Sequence, residues 1–203
     1  MNNSVLILGV PRSGTTSLCH AFGKNLKEIE EPLNTFIINK MSTKKLFRKC
    51  KEKNIVLKTM VDHKPFDWTG SIESFIIKLC SYFNKIILLD RKDTNRQVES
   101  YSELAKNLKR SGSVNSVNSD SINFVLQKGE YTKFIYYQKY LIREISDRMK
   151  LKLYYYEDIF SDNHLEVFNS LNIDINLLDY KYINPKNRYT NAHTSITFPK
   201  TII

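Results

Sequence analysis

Val5-Leu6-Ile7-Leu8-Gly9-Val10-Pro11-Arg12-Ser13-Gly14-Thr15-Thr16-Ser17-Leu18 is the stretch from which the rest of the chain can be read. The unbroken apolar run from Val5 to Leu8, without alternation, predicts a strand buried on both faces, as in parallel sheets. Gly9 ends the run. A helical pattern follows from about Gly14 to Leu26, with Leu18, Ala21, Phe22 and Leu26 on one side. A strand that turns through glycines into a helix aims backbone amides and the positive helix end at one point, which makes an anion site.

Further strands are predicted at Ile55–Thr59, Lys85–Asp90 and Leu151–Tyr156, and helices near 42–52, 71–83, 94–108 and 122–149. Strands alternating with helices predict an α/β sandwich of three layers, a central mostly parallel sheet flanked by helices. Residues 1–203 suit a single domain. Ser and Asn dominate Ser111–Ser121, so a flexible loop is expected at about 109–121, either plain surface or a lid over a cleft. Tyr136, Tyr137 and Tyr140 share helical spacing and are expected as a core or half-buried stripe.

Composition narrows the classes. With 41% hydrophobic and 26% charged residues the chain is not a disordered one. The balance 31 − 21 = +10 favours anionic partners, whether nucleic acid, anionic membrane or phosphorylated ligand. Cys19, Cys50 and Cys80 show neither CxxC nor Cys/His ligand spacing, which predicts a reducing compartment, no disulfide framework and no metal. The apolar run at Val5–Val10 is too short for a signal peptide or a membrane span, so a soluble, cytoplasmic protein is expected. No sequence feature sets an oligomeric state.

Gly9 to Thr16 has the spacing of the nucleotide loop G-x-x-x-x-G-K-[ST], with Thr15 in place of the Lys. In nucleoside-triphosphate enzymes that Lys reaches the β and γ phosphates. Here the cation is Arg12, inside the loop, which suits one 5′-phosphate group carrying something transferable. Pro11-Arg12-Ser13-Gly14-Thr15-Thr16-Ser17-Leu18 resembles the 5′-phosphosulfate loop, P-x-[RK]-S-G-T-T, of sulfotransferases. The resemblance implies a P-loop-like fold and 3′-phosphoadenosine 5′-phosphosulfate (PAPS) as donor, with no metal. It also implies donor contacts from Pro11, Arg12, Ser13, Gly14, Thr15, Thr16 and Ser17.

Ile86-Ile-Leu-Leu-Asp90-Arg91-Lys92-Asp-Thr-Asn-Arg-Gln97-Val-Glu-Ser100 resembles the same family's strand–Arg–helix–Ser element, which binds the 3′-phosphate. It implies Arg91 and Ser100 for that role. Lys92 is the alternate to Arg91, because many members place the Arg one residue nearer the Ser. Tyr155-Tyr156-Glu157-Asp158-Ile159 resembles the family's strand-end Y-E-D-L, a structural element with Asp158 a plausible helix cap. Asn184-Pro-Lys186-Asn-Arg188 falls where the family often places a late nucleotide loop, implying donor contacts from Lys186 and Arg188; a solvated basic tail is the alternative.

Sulfuryl transfer to a hydroxyl needs in-line attack, a base and cations on the developing charge. Glu30-Glu31-Pro32-Leu33 resembles the E-P element of carbohydrate sulfotransferases, whose Glu is a base candidate, and Glu31 holds that position. Ile55-Val-Leu-Lys58-Thr59-Met60-Val-Asp-His63 resembles the K-T-H segment of cytosolic members. Lys58 matches the Lys that touches the transferring group, whereas Met60 holds the His position. Glu31 is therefore the first candidate for the base, and His63 the second. His20, His164 and His193 have no supporting motif.

The leading expectation is a sulfotransferase acting on a hydroxyl of a sugar, lipid or metabolite, with no nucleic-acid partner. One alternative is a small-molecule or nucleotide kinase, in which Asp90 is the tempting Mg²⁺ ligand. Others are a nucleic-acid module suggested by the +10 charge and a sulfotransferase-like binder that has lost turnover.

Overall fold

The computed structural model describes residues 3–33, 41–110, 128–161, 164–174, 176 and 178–183. Strands β1 (Val5–Gly9), β2 (Lys27–Glu30), β3 (Ile55–Met60), β4 (Lys85–Asp90) and β5 (Leu153–Tyr155) form one sheet in the order β2-β3-β1-β4-β5. Every pairing is parallel. The predicted α/β architecture is therefore the observed one. Helices are α1 (Thr15–Gly23), α2 (Thr43–Cys50), α3 (Ile72–Cys80), α4 (Thr94–Arg110), α5 (Lys128–Met149), α6 (Tyr156–Ile159) and α7 (His164–Ser170), followed by a 3₁₀ turn at Tyr180–Tyr182.

Alternate strand residues face opposite layers. Leu6, Leu8, Ile55, Leu57 and Leu88 pack with α2, α3, α4 and α5 through Leu46, Phe75, Leu79, Val98, Ile135 and Ile142. Val5, Ile7, Val56, Ile87 and Leu89 pack with α1, α6 and α7 through Leu18, Phe22, Ile159 and Phe168. Leu6, Ile7 and Leu8 are fully buried, and each stabilises the fold by about 1.5–3 kcal/mol. Ser42 and Ser71 cap α2 and α3 by accepting the amides of Lys45 and Ser74. The three cysteines are buried and unpaired. Among the described residues, no helix is long and apolar enough to cross a membrane.

Strand order positions the site. From β1 the chain runs out past β3 to β2, returns to β3, then crosses over β1 to β4 and on to β5. The connections leave β1 and β4 in opposite directions, so the crevice beyond their carboxyl ends is the switch point where open α/β sheets bind ligands.

Strand β2 was not anticipated, and α1 ends at Gly23 rather than Leu26. Tyr136, Tyr137 and Tyr140 are exposed, correcting the expected stripe. Tyr131, Ile135, Leu141, Ile142 and Ile145 take the core side of α5, which turns those three tyrosines outward. Helix α4 extends to Arg110, and residues 111–121 of the expected loop lie outside the described residues.

Candidate functional site

The loop after β1 is bound tightly to its neighbours. The Val10 amide donates to the Leu89 carbonyl at 3.1 Å and the Val61 amide to the Gly9 carbonyl at 3.1 Å, tying together the ends of β1, β3 and β4. Gly9 admits no side chain, since a Cβ there would lie 2.4 Å from Thr15 Cγ2. Gly14 is excluded twice, by φ of +87° and by Phe160 at 2.5 Å. Arg12 has φ of 65°, a left-handed conformation that costs a non-glycine residue on the order of 1 kcal/mol or more. Alternating Arg12 and Gly14 in that region curls the backbone into a concave, amide-lined turn.

Not every loop group faces a ligand. Ser13 spends its amide (3.2 Å) and its hydroxyl (2.7 Å) on the Val10 carbonyl, closing the turn. Thr15 is buried with its methyl against Gly9. The Pro11 carbonyl accepts from the buried Gln97 Nε2 at 2.7 Å, so α4 holds the loop from behind. Gly14 precedes α1 without a side-chain cap. The amides of Thr15, Thr16 and Ser17 therefore open a helix N-terminus without intrahelical acceptors. Thr16 is exposed and Ser17 half-buried.

Three cations converge on this crevice from three strand ends. Arg12 donates from Nε to Ser100 Oγ at 2.9 Å. Although Arg12 is exposed at the surface, crowding of its guanidinium by the surrounding protein first, and the charge of Arg91 next, push it below the usual range. Arg91 follows β4 and stacks on Tyr156, its guanidinium carbon 4.6 Å from the ring centroid. Its Nε is buried without a hydrogen bond, 3.7 Å from Glu157 Oε1. Ser100 thus sits on Arg12, while Arg12 and Arg91 feel each other's charge, an arrangement that an anion between them would relieve. Lys58 rises from β3, only 3% exposed. Its Nζ donates to Thr16 Oγ1 at 2.6 Å and pairs with Glu31 Oε1 at 2.7 Å and Glu30 Oε2 at 3.6 Å.

Glu31 reaches the loop because β2 lies beside β3, with Glu30 opposite Lys58 in register. Its amide donates to the Lys58 carbonyl at 2.8 Å, and its φ of 38° turns the chain beyond the strand end. His63 also comes to this place. The His63 amide donates to the Met60 carbonyl at 3.1 Å in a tight turn after β3. Burial holds its imidazole below the usual range, against the opposing pull of Asp62 and Glu31. Both base candidates therefore stand near Lys58.

The Tyr156–Ile159 segment braces Arg91. Glu157 accepts the amides of Lys92 (2.9 Å) and Asp93 (3.3 Å). Asp158, expected as a helix cap, lies within α6 and accepts from Lys92 Nζ at 2.6 Å. Lys92 is thereby drawn away, half-exposed, so Arg91 rather than Lys92 joins Arg12 and Lys58 in the crevice. Asp90 is fully buried and receives Lys139 Nζ on both carboxylate oxygens, at 2.8 and 3.0 Å; the same ammonium reaches the Arg91 carbonyl. Lys139 and Gln97 were not singled out as site residues; each lies in a helix, and only tertiary contact reveals its role. Lys186 and Arg188 lie outside the described residues.

His20 of α1 meets Glu28 (2.8 Å) and Glu30 (3.5 Å) on the outer side of Lys58. One ligand atom from each of the three lies within 4.8 Å of the others. Sequence spacing could not find this group, because two members belong to the unanticipated β2. A depression of about 430 Å³ beside β5, lined in part by Lys152, Tyr154, Asp158 and Glu166, shares no residue with the loop or with Glu31 and Lys58.

No known family model matches this sequence, and no curated protein is significantly similar to it.

Proposed function

We propose that this chain is a sulfotransferase that moves the sulfuryl group of PAPS to a hydroxyl of a sugar, lipid or metabolite. The observation that carries the reading is the chain of contacts Thr16–Lys58–Glu31. It joins a phosphate-type loop, a buried ammonium and a carboxylate within hydrogen-bond distance. The residues present suit the donor. Arg91, stacked on Tyr156 and close enough to Arg12 to lower its pKa, suits the 3′-phosphate beside Ser100. The opening amides of α1 and Arg12 suit the 5′-phosphosulfate.

The donor supplies a sulfuryl group whose bond to the bridging phosphate oxygen breaks as the acceptor oxygen bonds to sulfur. Glu31 takes the acceptor proton. Lys58 and Arg12 stabilise the negative charge that gathers on the departing phosphate oxygen. Thr16 and Glu31 fix the Lys58 ammonium where that charge forms, so little reorganisation accompanies the step.

A kinase reading has less support. The hydroxyl of Thr16, at the loop position that would hold Mg²⁺, already accepts from Lys58. Asp90 already serves Lys139. The buried, unpaired thiols agree with a reducing, cytoplasmic setting.

The test pairs the parent with Glu31→Gln in release of adenosine 3′,5′-bisphosphate from PAPS over a pool of sugar, lipid and phenolic hydroxyl compounds. The variant keeps donor binding and loses about 10²–10⁴-fold in turnover. Unchanged turnover moves the base to His63 or elsewhere. Phosphoryl transfer from ATP and Mg²⁺, with none from PAPS, overturns the proposal.

A further inference from the structure

Glu28 and Glu30 leave the edge strand β2 on one face, because Ile29 between them turns into the core. His20 stands over that face from α1, and its Nδ1 lies 2.8 Å from Glu28 Oε2 and 3.5 Å from Glu30 Oε1. Two neighbours hold the group in place. The Glu28 carboxylate lies against Gly23 of α1, where a Cβ would overlap its Oε1. The His20 ring is backed by Tyr182, with centroids 5.4 Å apart and planes tilted by 45°. Charge marks the same spot. Glu28, Glu30 and Glu31 share one ammonium, that of Lys58, and one imidazole. Three negative charges thus meet at most two positive ones, on a chain that carries +10 overall. A cation is what this corner lacks.

We infer that His20, Glu28 and Glu30 bind one Zn²⁺ ion, which clamps the edge strand β2 to α1, the helix that opens at the phosphate loop. This goes beyond the transfer reaction proposed above and does not depend on it. The donor set selects the ion. One imidazole nitrogen with two carboxylate oxygens suits Zn²⁺, whereas Mg²⁺ and Ca²⁺ take oxygen ligands. Geometry agrees. Two zinc bonds of about 2.0–2.1 Å at a tetrahedral angle hold their ligand atoms about 3.3 Å apart. The two separations at Nδ1, 2.8 and 3.5 Å, bracket that figure, and one ligand atom from each residue lies within 4.8 Å of the others. The ion takes the place of the proton on Nδ1, and the exposed carboxylates leave it a path from solvent. Glu30 turns Oε1 to His20 and Oε2 to Lys58, 3.6 Å away, so the ion and the ammonium use different oxygens.

The experiment runs on the full chain, stripped of metal by a chelator that is then dialysed away. Zn²⁺ is titrated in competition with a chromophoric chelator, and Mg²⁺ and Ca²⁺ are titrated in the same way. One Zn²⁺ per chain is expected, bound about tenfold or more tightly than either of the others. At a hundredfold excess over its Kd the ion should raise Tm by about 5–10 °C. His20→Gln lowers the Zn²⁺ affinity about tenfold or more and removes the rise in Tm. If that variant does not fold, Gly23→Ala is measured in the same way. It keeps all three ligands and displaces only the end of the Glu28 side chain, for an expected loss of about 10–100-fold. Absence of saturable binding at one Zn²⁺ per chain, equal affinity for Mg²⁺ or Ca²⁺, an unmoved Tm, or a Zn²⁺ affinity unchanged by the substitution overturns the inference.

Discussion

Lys139→Met removes the ammonium that neutralises Asp90 while keeping most of the side-chain volume. Asp90 is fully buried and Lys139 is 5% exposed along its side chain. The substitution therefore strands a carboxylate, and the carbonyl of Arg91, without a partner in the interior. Solvent relieves almost none of this, so the cost falls in the range for breaking one side of a buried pair, about 3–5 kcal/mol. For a domain of this size, 1 kcal/mol lowers Tm by roughly 2–4 °C, and the expected fall is on the order of 10 °C. Urea unfolding at neutral pH, read by far-UV circular dichroism, gives the number directly. The Asp90→Leu/Lys139→Met double variant removes both charges and is expected to recover most of the loss. Because Lys139 also fixes the Arg91 carbonyl, the single variant weakens nucleotide binding as well. A single variant within about 1 kcal/mol of the parent would refute the reasoning, as would a double variant no more stable than the single.

Arg91→Ala should weaken adenosine 3′,5′-bisphosphate by ~2–3 kcal/mol and adenosine 5′-monophosphate far less; calorimetry on both ligands checks this, and equal losses would remove Arg91 from the 3′-phosphate. Gly14→Ala meets a left-handed φ of 87° and the Phe160 ring at 2.5 Å. It should lose more than ~1 kcal/mol of stability along with nucleotide affinity, measured by urea midpoint and calorimetry. His63 has a folded-state pKa depressed below its ordinary 6.5 by burial. Between the two values the unfolded chain binds more protons, so stability falls as pH drops below about 6.5, and His63→Gln should flatten that slope between pH 7.5 and 5.5.

Strands β1, β3 and β4 were legible because each is an apolar run buried on both faces, and α2 and α3 because their serine caps stand just ahead of them. Strand β2 was not, because Lys27-Glu28-Ile29-Glu30 is a sheet edge with one inward residue, and one apolar residue makes no period. The tyrosines of α5 misled for the opposite reason. Helical spacing states which residues share a face and is silent on which way that face turns until its competitors, such as Ile135 and Ile142, are weighed. Arg12, Glu31 and Arg91 could be picked out because each follows a strand within a spaced motif, and Lys58 because it stands inside one. Lys139 could not, since a lysine inside a long helix looks solvated until packing places Asp90 against it.

The most direct test of the account is calorimetric titration of adenosine 3′,5′-bisphosphate into the metal-free protein, with ADP and adenosine 5′-monophosphate as controls. The convergence of Arg12, Arg91 and Ser100 on one crevice predicts binding that depends on the 3′-phosphate and needs no Mg²⁺. Absence of binding, or a preference for ADP that appears only with Mg²⁺, would contradict it.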